Sequence, residues 1–119
     1  MAHKRLLQFG HALNGLKLVW QEEAHFTLHV TMACIAVLAA WAFSITSYEL
    51  LIIFAMIGLV ITAEIFNTAL EELCDKYTLD HDPRIGKIKD ISAAAVFFAA
   101  CIAAVVGAII FIPHIYHSL

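Results

Sequence analysis

Fourteen consecutive uncharged residues, Leu50 to Ala63, run straight into a glutamate, Glu64. A run of that kind constrains the fold more than any other feature of the chain. It is too apolar for the surface of a soluble domain, and the carboxylate that closes it lies at or below a membrane interface. Two further uncharged stretches, Thr27 to Ile45 and Ile91 to Ile112, are long enough to cross a bilayer, which takes about 20 residues as a helix. Charged residues make up 14% of the chain and hydrophobic ones 62%. An ordinary soluble domain carries roughly 25% and 45–50%. The chain therefore reads as an all-α membrane protein with three transmembrane helices.

A single domain over residues 1–119 is expected, in five parts. Residues 4–26 form a helix on the membrane surface, because Leu6, Phe9, Leu13, Leu16 and Trp20 recur at intervals of three and four. The first span covers 27–46, and the second covers 48–75 and projects into the cytosol. A polar loop follows over 76–90. The third span covers 91–113 and ends at Pro113. Its small residues Ala100, Ala104 and Ala108, with Ala103 and Gly107, suit close helix approach in lipid. The Met1–Trp20 segment has no long apolar core, so it does not read as a secretory signal.

Lysines and arginines set the orientation. Lys4, Arg5 and Lys17 precede the first span, and Lys76, Arg84, Lys87 and Lys89 lie between the second and third. The N-terminus and the polar loop then face the cytoplasm and the C-terminus lies outside. A net charge of −3 and the absence of a basic block argue against nucleic-acid binding. Cys34, Cys74 and Cys101 are widely spaced and form neither a disulfide framework nor a zinc motif.

Glu64 is the sharpest functional candidate. A carboxylate at membrane depth is costly and marks function by default, and its poor solvation suits a general base. Asn67, Glu71 and Asp75 follow on the same helix face and make a polar stripe leading out of the membrane. Hard oxygen donors of this type suit Mg²⁺, which takes one or two carboxylates together with phosphate oxygens. Glu72 points elsewhere and reads as a solvated charge. Glu22 and Glu23 lie at the depth of Glu71, and one of them could share its metal. Lys89 and Asp90 precede the third span, where Lys89 could neutralise a phosphate or simply anchor the helix. His25 and His29 share a helix face, but no third ligand accompanies them, so a packing role is expected. His114 and His117 read as exposed tail residues. No Walker A loop, GxGxxG or GxSxG pattern occurs.

The segment Ala63-Glu64-Ile65-Phe66-Asn67-Thr68-Ala69-Leu70-Glu71 resembles the AExxNTAxE motif of the prokaryotic diacylglycerol kinase and undecaprenol kinase family. Lys89-Asp90 followed by Ser92-Ala93-Ala94-Ala95-Val96 is similar to that family's KDxxAxAV segment. His11-Ala12-Leu13-Asn14-Gly15, with Glu23, Phe26 and His29, extends the likeness over about Phe9 to Pro113. The resemblance implies a homotrimer of three-span chains that moves the γ-phosphate of MgATP to a lipid hydroxyl. It implies Glu64 as catalytic base and Glu23 and Glu71 as metal ligands. ATP-binding residues would be Lys4, His11, Glu23, Asn67, Glu71, Asp75, Asp80, His81, Asp82, Lys89 and Asp90. The lipid would meet Glu64 and Ala93. The loop departs from the family, with Asp82 before Pro83 and His81 one place earlier. Phe66, Thr68, His29 and the closing Phe111-Ile112-Pro113 follow the Gram-positive pattern, associated with undecaprenol, ahead of diacylglycerol. A small proton-coupled transporter also carries one buried glutamate, but it has no need of a carboxylate stripe ending in a Lys-Asp pair.

Overall fold

The computed structural model describes residues 1–119 and consists of four helices: α1 (Ala2–Glu22), α2 (Ala24–Ala42), α3 (Ser47–Tyr77) and α4 (Pro83–Ser118). There are no strands, and 89 of 98 backbone hydrogen bonds lie within the helices. Such self-sufficiency is what lipid demands, since it offers no partner to a free N–H or C=O. The three helices α2, α3 and α4 are each long and apolar enough to cross a membrane.

The ends of the helices have local causes. Glu23 breaks α1 from α2 in an extended conformation (φ −117°, ψ 110°). The first helix thus stops at Glu22, short of Phe26, where periodicity alone carried it. After α2, Ser44 takes a left-handed φ of 50°, and the Ile45 N–H bonds the Ala40 carbonyl at 3.2 Å. This closes the helix with a residue that lacks the freedom of glycine. Thr46 then opens α3 with a capping box: its hydroxyl accepts from the Glu49 N–H, and the Glu49 side chain accepts from the Thr46 N–H.

Two expected boundaries differ from those found. Residues 76–90 are not mainly loop, because α3 runs to Tyr77 and α4 begins at Pro83. Asp82 Oδ1 accepts from the N–H groups of Arg84 and Ile85 at 2.8 and 3.3 Å, and proline suits the first helical position because its missing N–H is unbonded there anyway. Nor does Pro113 end α4, which continues to Ser118. A proline near a helix end removes one hydrogen bond, and the short remainder is held by neighbouring contacts.

The main packing is α4 on α3, with α2 against α3. The apolar core is a small cluster of Ala40, Ile53 and Ile110, backed by Ile57, Val106 and Phe111. Only 12 residues are buried, and four of them are polar: Glu64, Asn67, Thr68 and Ser92. A membrane chain turns its polar groups inward and its leucines outward, so this cluster marks where the chain has something to protect. The small residues of α4 lie on the side where it meets α2 and α3. Ala100, Ala103, Ala104 and Gly107 line an apolar cavity of about 210 Å³ between α2, α3 and α4, and a Cβ on Gly107 would meet nothing within 4 Å. On α1, the stripe Leu6, Phe9, Leu13, Leu16 and Trp20 is exposed, and Val19 is the helix's buried residue.

Candidate active site

The α3 helix carries its polar stripe out of the apolar region without a break. Glu64 is 3% exposed and its carboxylate makes no hydrogen bond within the chain; its backbone carbonyl accepts the Thr68 hydroxyl at 3.0 Å. The one basic group within 4 Å of that carboxylate is His29 on α2, with Nε2 3.6 Å from Oε2. One turn along α3, Asn67 Nδ2 donates to Glu71 Oε1 at 3.2 Å. Asn67 Oδ1 is buried and has no partner at all. Buried acceptors are nearly always satisfied, so this one requires an explanation. A turn further out, Lys89 Nζ on α4 donates to Asp75 Oδ1 at 2.5 Å.

Glu23 reaches the same group of charges from the α1–α2 junction. Its carboxyl is held above the ordinary carboxylate range, first by burial and then by the charges of Glu71 and Glu64, while His25 pulls the other way. Like charges act on one another in this way only when they are close. Glu23, at the α1–α2 junction, thus lies within electrostatic reach of Glu64 and Glu71, two turns apart on α3. Glu71 and Glu23 are half-buried. No three His, Cys, Asp or Glu side chains converge into a ready-made metal cage.

Beyond the stripe lies a polar hollow of about 310 Å³ at the start of α4, bounded by Asp75, Asp80, His81, Asp82, Gly86 and Lys89 among others. It gathers five of the residues singled out for the nucleotide. Asp82 Oδ1 is already engaged as the α4 cap. Lys4 and His11 do not line this hollow; both are exposed on α1, which packs against α2 and α3. Asp90 is exposed, and Ala93 is exposed while its neighbour Ser92 is buried. Two roles differ from those expected. His29 is not merely a packing residue, since it faces Glu64. His114 is not a free tail residue, since it lies in α4 with Nε2 3.0 Å from Glu49 Oε2. Neither partner is near in sequence, so periodicity gave no signal for them. The burial of Ser92 was signalled only by a lone hydroxyl in an alanine-rich run.

Comparison with known proteins agrees with the geometry. The sequence profile of the family described as prokaryotic diacylglycerol kinase matches residues 10–111. The undecaprenol kinase of Bacillus subtilis (strain 168) is 33% identical over 105 residues, which is 88% of this chain and 85% of that protein. The diacylglycerol kinase of Haemophilus influenzae is 30% identical over 102 residues, 85% of this chain and 86% of that protein. The diacylglycerol kinase of Escherichia coli (strain K12) is 27% identical over 105 residues, 88% and 86% of the two chains. Similarity of that extent, across all three apolar helices and the polar stripe, leads to one conclusion: the chain belongs to the prokaryotic diacylglycerol kinase family and is a membrane lipid kinase.

Proposed function

We propose that the chain phosphorylates undecaprenol at the cytoplasmic face of a bacterial membrane, taking the γ-phosphate of ATP, with Glu64 as the general base. The observation that carries this reading is Glu64 itself, 3% exposed, free of hydrogen bonds, and joined by one helical stripe to the polar surface. A lipid hydroxyl can approach it from the bilayer while the nucleotide stays in water. An apolar cavity bordered by His29, Val60 and Ile61 lies one turn along α3 from it. Ala93, on the exposed face at the start of the third span, is the proposed lipid contact.

Phosphoryl transfer asks a protein mainly for positioning and charge neutralisation. Glu64 takes the hydroxyl proton as the lipid oxygen attacks. Lys89 swings from Asp75 to a phosphate oxygen, a small movement for an exposed pair. Asn67, Asp75, Asp80, His81, Asp82 and Asp90 bound the nucleotide side, and Lys4 and His11 approach its base end from α1. Glu23 and Glu71 are the proposed ligands of Mg²⁺. They fit: the donors are hard oxygens, the two carboxylates repel in its absence, and the orphaned Asn67 Oδ1 stands next to Glu71. When bound, the ion screens the phosphate charges against these carboxylates.

Undecaprenol is placed ahead of diacylglycerol because the Bacillus subtilis relative named for it matches at 33%, and because His29, Phe66 and Thr68 follow the pattern associated with it. The lysine and arginine distribution supports a cytoplasmic N-terminus and an outside C-terminus. The exposed apolar stripe of α1 supports a helix lying on the membrane. A homotrimer is the proposed assembly, as the family resemblance implies.

The test is reconstitution in vesicles with γ-labelled ATP and Mg²⁺, offering undecaprenol and diacylglycerol separately. Label is expected in undecaprenol, and in neither lipid with Glu64→Gln, which should retain nucleotide binding. Equal transfer by Glu64→Gln would remove the base from this site.

A further inference from the structure

We infer that His29 is a proton relay for Glu64, drawing off the proton that the buried carboxylate collects at each turnover; this rests on the proposed role of Glu64 as base. The observations are geometric. Glu64 is 3% exposed, its carboxylate makes no hydrogen bond, and it has one basic neighbour, His29 Nε2 at 3.6 Å. The His29 side chain is 17% exposed against 3% for Glu64, so the imidazole is the less enclosed member of the pair. His25 lies one turn nearer the surface on the same face of α2 and is exposed. No titratable side chain of α4 borders the same cavity; its residues there are Ala100, Ala103, Ala104, Val106, Gly107 and Phe111.

The need for such a group follows from the chemistry. The lipid O–H bond breaks, the oxygen bonds to the γ-phosphorus, and the bond from that phosphorus to the bridging oxygen breaks to release ADP. The hydroxyl proton passes to the Glu64 carboxylate. A neutral glutamic acid cannot accept a second proton, so the site is idle until the first one leaves. Carboxylate–histidine chains are the usual route for protons at membrane depth. Here Glu64 hands its proton to His29 Nε2, the imidazolium gives one to water reaching it from the His25 end of α2, and tautomer exchange through that water restores the acceptor nitrogen. A separation of 3.6 Å exceeds a hydrogen bond, and one small side-chain rotation closes it.

The alternative is a fixed counter-ion, in which a permanently charged His29 neutralises Glu64. Three variants separate the two: His29→Gln, His29→Lys and His29→Ala, assayed in vesicles for kcat, for KM of ATP and of lipid, and for thermal unfolding. The relay predicts that kcat falls about a hundredfold or more in all three, the scale of a positioned proton-transfer group, with KM for ATP within about twofold. It also predicts that added imidazole restores much of the kcat of His29→Ala, because the vacated ring position opens to the cavity. Wild-type kcat in His29→Gln, or in His29→Lys, would overturn it. So would a loss of kcat that imidazole leaves untouched, which indicates packing. Glu64→Gln, run alongside, keeps the two readings apart. Loss of transfer there with normal kcat in His29→Gln removes the relay alone, whereas normal transfer in Glu64→Gln removes the base and the relay with it.

Discussion

Replacing Asn67 by leucine sets stability against function at a single side chain. Asn67 is 9% exposed, and its Oδ1 accepts no hydrogen bond. A buried acceptor left unpaired costs about 1–3 kcal/mol, and leucine, which branches at the same carbon, removes that cost. The substitution also removes the Nδ2 bond to Glu71 at 3.2 Å. Glu71 is half-buried, so water can take the donor's place, and the loss should be about 1 kcal/mol. The net effect on folding is then between roughly zero and 2 kcal/mol of stabilisation. Function should move the other way. If Asn67 Oδ1 is orphaned because it serves the metal–nucleotide complex, kcat/KM for ATP should fall by about 10- to 100-fold, the usual scale for groups supporting a metal site. Thermal unfolding in detergent and initial rates in vesicles read the two quantities independently. An Asn67→Leu protein destabilised by more than about 2 kcal/mol, with its kcat/KM within about threefold of normal, would refute the reasoning: the asparagine would then be a structural residue with an unrecorded partner.

Other consequences are simpler to check. The Glu23 carboxyl sits above its ordinary value through burial and the charges of Glu71 and Glu64. The folded state therefore holds that proton more tightly than the unfolded state, and stability from this group is present at low pH and lost as pH rises through the raised folded value. Protons and Mg²⁺ compete for the same oxygens, so the Mg²⁺ concentration for half-maximal rate should climb on acidification at a higher pH than an ordinary glutamate would give. Glu23→Gln should lose that dependence along with most of its activity. Lys89→Ala should leave the unfolding temperature nearly unchanged, because its bond to Asp75 joins two exposed side chains. It should raise KM for ATP, as measured by initial rates over a range of nucleotide concentrations. Ser44→Gly should stabilise the α2–α3 turn by about 1 kcal/mol, since the φ of 50° costs a side chain about that much; equilibrium unfolding measures it, and destabilisation would mean the serine side chain has a role in the turn.

What could be read from the sequence was whatever repeats at short range. Uncharged runs of bilayer length gave three spans, and Glu64, Asn67, Glu71 and Asp75 were legible as one stripe because a helix places every third and fourth residue on a face. Boundaries were less legible, since a cap depends on which of two competing signals wins. Pro83 reads as a loop residue until Asp82 is seen to cap the helix that it starts. Pro113 reads as a stop, though a helix already formed absorbs one missing bond near its end. Contacts between helices left no local trace. His25 and His29 show the regular spacing of a metal pair, and that spacing drew attention to each other, when the partner of His29 is Glu64 on another helix. His114 looked like a tail residue for the same reason, its partner Glu49 lying at the opposite end of the preceding span. The same limit explains Glu23, which looked ordinary beside Glu22 until folding brought it within electrostatic reach of Glu64 and Glu71. The stripe on α3 is thus the part of the candidate site legible in sequence, and Glu23, His29 and Lys89 approach it from the α1–α2 junction, α2 and α4.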